Sequence, residues 1–247
     1  MVETYPDLEA LSRGAAELFA RCAERALSRR GRFTVALAGG STPKRTYELL
    51  AAPPFREGIE WARVEFFWGD ERCVSPEDPR SNARMARLAL LDRVPVPPSA
   101  IHPMECGASP AEAAMRYEEL LRSFFAAGRP GFDLVLLGLG EDGHTASLFP
   151  ETPALEEENR WVLPVHVPEQ KMDRITLTAP ILNQSGSVVF VVSGASKAEA
   201  LREVLEGPRD PRRLPAQLIR PENGELYWLA DWEAAALRGS RQPRESV

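Results

Sequence analysis

Apolar residues change period along this 247-residue chain, and period is the primary signal of secondary structure. Leu8, Leu11, Ala15, Leu18, Phe19, Cys22 and Ala26 recur at helical spacing. The pattern then breaks into short, unbroken apolar runs over 33–38, 64–68, 132–137 and 187–192, each of strand length and each ending near a glycine. Weaker strand candidates cover 161–165, 175–178 and 225–229, and helical patterns cover 43–50, 82–91, 110–125 and 197–205. Strands that are apolar without alternation are buried on both faces, and their interleaving with helices predicts an α/β fold. The expected architecture is doubly wound, a mostly parallel sheet with helices on both faces. No repeat is evident, and the proline-rich stretches (53–54, 95–98 and 208–215) are too short to be linkers, so residues 1–247 are expected to form a single domain.

The polar residues gather where the strong runs end. Four loops follow them: Gly39-Gly40-Ser41-Thr42-Pro43, Gly69-Asp70-Glu71-Arg72, the glycine-rich 138–145 stretch, and Ser193-Gly194-Ala195-Ser196-Lys197. In a parallel sheet the carboxyl ends of the strands share one edge, where ligands bind at the switch point, so these loops are expected to converge. In the first loop Ser41 or Thr42 can cap a helix with Pro43 as its first residue, and Gly39 and Gly40 let a ligand approach the backbone. That grammar fits an anion site or a simple strand-to-helix turn; the endings of a Walker loop and of a dinucleotide fingerprint are both missing. Arg72 has the shape for bidentate phosphate recognition, although Asp70-Glu71-Arg72 also reads as a surface charge cluster. Ser81-Asn82 adds a further N-cap. Lys197 falls at a helix start, where the dipole disfavours a cation, and this suggests an anionic partner.

His144 sits among Gly138, Gly140, Gly143, Glu141 and Asp142, with little apolar surface to pack it. Imidazole is suited to general acid/base work near neutrality. Neither a Gly-x-Ser-x-Gly elbow nor a catalytic cysteine context occurs, so attack by an activated water is expected rather than a covalent route.

Thirty Lys and Arg against 36 Asp and Glu give a formal charge of −6, which disfavours a protein whose whole surface attracts nucleic acid or anionic membrane. Cys22, Cys73 and Cys106 show no Cys-x-x-Cys spacing, so neither a disulfide nor a zinc site is expected. His102, His144 and His166 show no i, i+4 pairing. With no signal-like N-terminus and no long apolar run, the chain is expected to be cytoplasmic, with reduced thiols and without metal or cofactor.

Taken jointly, three blocks resemble the 6-phosphogluconolactonase family: Ala38 to Pro43, Trp68 to Val74 with Ser81-Asn82, and Leu137 to Pro150. Arg174 to Thr178 and Gly194-x-x-Lys197 match later blocks, so the resemblance runs from about residue 30 to about 200. It implies a Rossmann-like fold and hydrolysis of a phosphorylated six-carbon δ-lactone in the oxidative pentose phosphate pathway. Gly40, Ser41, Thr42, Arg72 and Lys197 would then hold the phosphate, with Arg174 as a further contributor. His144 would be the general base, with Asp70 or Asp142 orienting it. The partner would be the small-molecule substrate alone, on a monomer or a small homo-oligomer. The related amino-sugar-phosphate isomerases and deaminases resemble the chain at the first glycine loop and at Asp142-Gly143-His144. They continue with a carboxylate-bearing segment, where this chain has Thr145-Ala146-Ser147-Leu148-Phe149-Pro150. A non-catalytic sugar-phosphate sensor would need a DNA-binding module, for which the N-terminal residues leave little space.

Overall fold

Asp7 starts the first long helix and Gly31 stops it. The Asp7 carboxylate accepts from the Ala10 N–H at 2.8 Å, and left-handed Gly31 (φ 71°) donates its N–H to the Leu27 carbonyl. This helix, α1 (Leu8–Arg30), follows β1 (Val2–Tyr5) and leads into β2 (Phe33–Leu37). Next come α2 (Ser41–Leu50), α3 (Phe55–Gly58), β3 (Val64–Trp68), β4 (Asp70–Arg72), α4 (Asn82–Ala89), α5 (Pro110–Phe125) and β5 (Leu134–Leu137). The chain continues through β6 (Val162–Val167), β7 (Met172–Leu177), α6 (Ala179–Asn183), β8 (Ser187–Val192), α7 (Ala198–Glu206) and β9 (Glu225–Asp231). The computed structural model describes residues 1–107, 109–128 and 130–239.

Six strands form one parallel sheet in the order β1-β9-β8-β5-β2-β3. Every residue of β2, β5 and β8 is buried, so both faces are covered. Two neighbouring residues of β3 show by what, since successive side chains of a strand point to opposite faces. Phe66 stacks on Trp61, which in turn meets Phe19 of α1. Phe67 packs edge-on against Phe124 of α5 at 5.0 Å. Each such side chain fully removed from water contributes about 1.5–3 kcal/mol. The α/β architecture with helices on both faces is therefore the one expected. From β2 the chain steps outward to β3 and then returns to lay β5 on the other side of β2. The strand order thus reverses between β2 and β5, which is the switch point.

Three features differ from the sequence reading. First, β4 is a short strand rather than a loop: it pairs antiparallel with β7, which pairs with β6, giving a second, three-stranded sheet. Its residues are polar and two of them are buried, so no apolar pattern announces it. Second, β1 is an edge strand with no apolar run, held by its ladder to β9. Third, Cys73 and Cys106 form a disulfide, against the expectation of reduced thiols, and Cys22 is the free, buried thiol. The two half-cystines lie 33 positions apart, Cys73 just after β4 and Cys106 between α4 and α5, with their Cα atoms 5.1 Å apart. Among the described residues no helix is long and apolar enough to cross a membrane.

Candidate active site

The four loops converge as expected. A cleft of about 280 Å³ opens at the carboxyl ends of β2 and β5, on the switch point. Gly39 and Gly40 follow β2, Gly69 follows β3, Gly138, Gly140 and His144 follow β5, and Lys197 arrives from beyond β8. The second sheet contributes Asp70, Arg72 and Arg174, and the start of α4 contributes Asn82.

His144 Nδ1 lies 2.5 Å from Asp142 Oδ1, which also accepts the His144 backbone N–H at 3.1 Å. A tight turn makes this possible: Gly140 donates its N–H to the His144 carbonyl at 2.8 Å, and Gly143 sits at φ 79°. Gly140 has a further reason to be glycine, because a Cβ there would collide with both the His144 ring and the Asp142 carboxylate. Burial works against the charge on Asp142, but the hydrogen bonds and charge of His144 outweigh it and hold the carboxyl below its ordinary pKa. A carboxylate at Nδ1 keeps the proton on that nitrogen and leaves Nε2 as the acceptor. The other histidines have structural settings. His102 contacts Glu65 at 2.8 Å and stacks on Phe67, and His166 meets Asp173 across the β6–β7 ladder.

Of the two carboxylates that sequence left as partners for His144, Asp142 is the one in contact. Asp70 is buried and engaged elsewhere. Its Oδ2 accepts from Ser147 Oγ at 2.6 Å and lies 3.5 Å from Arg174 Nη1, and its Oδ1 accepts from Asn82 Nδ2 at 3.2 Å. β4 holds Asp70 opposite Thr176 on the antiparallel ribbon, where Asn82, Ser147 and Arg174 engage its carboxylate.

The cationic side of the cleft is built on the same ribbon. Arg72 stands opposite Arg174 in the β4–β7 register. Arg72 Nη1 donates to the Arg80 carbonyl at 2.6 Å, and Arg174 Nη2 donates to Gln170 Oε1. Among the described residues the Nε of each arginine is buried without a partner. Burial pushes the Arg174 guanidinium below its usual pKa, the charge of Asp70 pulls it back, and neighbouring Arg72 depresses it further. Each orphaned buried donor costs about 1–3 kcal/mol. Lys197 lines the cleft, its Nζ 3.8 Å from Glu141 Oε1.

The start of α2 departs from expectation. Gly40 occupies the cap position at φ 102°, Ser41 is already helical, and no side chain caps the helix. Gly40 lines the cleft, whereas Ser41 lines an adjoining hollow with Lys44, Arg72 and Arg80; Thr42 lines neither. Ser81 does cap α4, accepting from the Arg84 N–H at 3.1 Å.

Glu71, Ser147 and Phe149 are structural contributors that the sequence pattern does not single out. The Glu71 carboxylate accepts from the N–H groups of Asn82 (2.8 Å) and Ala83 (2.7 Å) and from the Ser81 hydroxyl (3.0 Å), clamping α4 onto β4. Burial nevertheless raises its pKa, opposed by these same bonds. Phe149 lies against His144 with ring centroids 4.3 Å apart. Ser147 and Phe149 lie within the block carrying the resemblance, so that block was their only signal. Among the described residues no group of three or more His, Cys, Asp or Glu side chains gathers as metal ligands.

A parallel α/β sheet whose switch-point cleft pairs an imidazole–carboxylate couple with convergent cations is the arrangement of a sugar-phosphate enzyme, and comparison with known proteins agrees. Residues 6–228 match the model of the family described as glucosamine-6-phosphate isomerases/6-phosphogluconolactonase, and the chain belongs to that family. Among its relatives, the 6-phosphogluconolactonase of Synechocystis sp. is 49% identical over 85% of this chain and 86% of its own length. That of Nostoc sp. is 44% identical over 95% and 97%. The solved structure of 6-phosphogluconolactonase from Trypanosoma brucei superposes with a TM-score of 0.83 at 30% identity, covering 96% of this chain and 97% of that one.

Proposed function

We propose that this chain hydrolyses 6-phospho-D-glucono-1,5-lactone to 6-phosphogluconate, the lactonase step of the oxidative pentose phosphate pathway, with His144 as general base. The observation that carries this reading is the meeting, in one cleft, of the Asp142–His144 couple with Arg72, Arg174 and Lys197. The substrate has the matching two ends, a lactone carbonyl and a phosphate dianion. Gly40 and the uncapped start of α2 add a polar backbone edge suited to an anion.

In this reading the phosphate binds between the arginines and Lys197, and the lactone carbonyl lies beside His144. Nε2 takes a proton from water as its oxygen attacks the carbonyl carbon, while Asp142 stabilises the imidazolium that forms. The tetrahedral intermediate then collapses by breaking the bond from the carbonyl carbon to the ring oxygen, and the imidazolium returns the proton to that oxygen. The product is a carboxylic acid, ionised at neutral pH, with a free hydroxyl. General base catalysis of this kind contributes about 10²–10⁴-fold. No step requires a metal or cofactor.

The test is a continuous assay of the purified protein on freshly generated phospholactone, with spontaneous opening subtracted. Acceleration above background supports the reading. Release of ammonia from glucosamine 6-phosphate without lactonase activity would instead assign the deaminase branch of the family. The Thr145–Pro150 segment supports the lactonase: it brings no carboxylate to His144, and Thr145 Oγ1 is occupied with the Gly138 carbonyl at 2.9 Å.

A further inference from the structure

His144 is carried by the loop after β5 of the parallel sheet, and the two arginines by the antiparallel sheet. Two side chains of one short segment join these parts. Ser147 is fully buried: its N–H donates to Thr176 Oγ1 at 3.1 Å, and its Oγ donates to Asp70 Oδ2 at 2.6 Å and accepts from Arg174 Nη1 at 3.5 Å. Two residues further on, Phe149 touches His144 with one part of its surface, while the Arg174 guanidinium lies over its ring at 5.4 Å from the centroid. The β4–β7 register sets Asp70 opposite Thr176 and Arg72 opposite Arg174, so Ser147 grips the same face of the ribbon that presents the arginines. Ala146, just before it, holds φ 49°, a conformation uncommon for a residue with a Cβ and kept only where neighbours over-determine it.

We propose that Ser147 and Phe149 are positioning residues that fix the separation between the proton acceptor on His144 and the anion grip of Arg72 and Arg174. They thereby select lactones whose phosphate lies at one set reach from the reacting carbonyl. The proposal rests on the lactonase reading above. It gives a purpose to a buried serine that touches neither the proton transfer nor the phosphate. Without its hydroxyl, Asp70 Oδ2 keeps Arg174 alone among the described residues, and the guanidinium is drawn toward the carboxylate and out of register with Arg72. Small displacements of positioning groups carry large rate penalties, so a gauge of this kind acts on selectivity before it acts on folding.

The experiment compares wild type with Ser147→Ala on 6-phosphogluconolactone and on unphosphorylated glucono-1,5-lactone, and measures competitive inhibition by inorganic phosphate. In the variant, KM for the phosphorylated lactone and Ki for phosphate are expected to rise together by about tenfold, equal to about 1.4 kcal/mol. Selectivity for the phosphorylated lactone then falls by the same factor. The double variant with Arg174→Gln is expected to be no worse than Arg174→Gln alone, because both act through one group. Equal losses on both lactones, or an unmoved Ki for phosphate, overturn the proposal. Should Ser147→Ala not fold, Ser147→Cys, which keeps the side-chain size and weakens the hydrogen bond to Asp70, provides the same comparison with the same outcomes. Wild-type protein without lactonase activity overturns the functional reading instead. Calorimetry with inorganic phosphate then decides the gauge separately: weaker binding by Ser147→Ala supports it and unchanged binding sinks it.

Discussion

Exchanging carboxylate for amide at Asp142 and at Asp70 in separate variants distinguishes two roles that the sequence leaves joined. Asp142 Oδ1 stands 2.5 Å from His144 Nδ1, so Asp142→Asn keeps the shape but removes the charge that faces the imidazolium in the transition state. A hydrogen bond to a charged group contributes about 1.5–3 kcal/mol against about 0.5–1.5 for a neutral one. The difference of about 1–2 kcal/mol corresponds to a fall in kcat of about five- to thirtyfold. Because the loss lies in the transition state, KM should move little. Asp70→Asn disturbs the counter-ion of Arg174, so its effect should fall mainly on KM for the phosphorylated lactone. Steady-state kinetics with the uncatalysed rate subtracted, alongside circular dichroism to confirm folding, make the comparison. If Asp70→Asn lowers kcat more than Asp142→Asn while leaving KM alone, the assignment of Asp142 as the orienting carboxylate is wrong.

Four further outcomes are expected. Arg72→Ala or Lys197→Ala should weaken binding of the phosphorylated lactone by about 1.5–3 kcal/mol per lost charge-assisted bond, and equal losses on phosphorylated and unphosphorylated lactones would sink the phosphate assignment. Gly140→Ala places a methyl group into the Asp142–His144 couple, so kcat should fall at least as far as in Asp142→Asn; wild-type turnover would contradict the geometry. Glu71→Ala strips the acceptor from the Asn82 and Ala83 N–H groups and should cost about 2–4 kcal/mol, read as a lower melting temperature. The pH dependence of the Asp142 couple follows from its depressed carboxyl: the native state binds fewer protons than the unfolded chain, so the stabilisation is present above the ordinary carboxylate pKa and is lost as pH falls through the lower native value. The melting-temperature gap between wild type and Asp142→Asn should therefore be full at neutral pH and shrink below about pH 4; a gap that widens in acid would refute it.

Local pattern determined a large part of this protein. The strands β2, β5 and β8, buried along their whole length, and the largely buried β3 were legible because a strand covered on both faces is apolar along most of its length. Their order along the chain, each followed by a glycine-bearing loop, placed Gly40, Arg72, His144 and Lys197 at one sheet edge before any contact was known, since parallel strands share a carboxyl end. Polar strands leave no such trace. β4 holds its place by pairing with β7 and by burying charges that neutralise one another, and both arise from residues about a hundred positions away. The same long-range contact decided which carboxylate serves His144, because β4 draws Asp70 to Arg174 and leaves Asp142 to the imidazole. Thr42 lies off the cleft for a local reason: α2 begins at Ser41, two residues before the Pro43 start that its capping grammar suggested. The Cys73–Cys106 bond belongs with the long-range contacts: a disulfide answers to the distance between Cα atoms in space, and spacing along the chain carries no information about it.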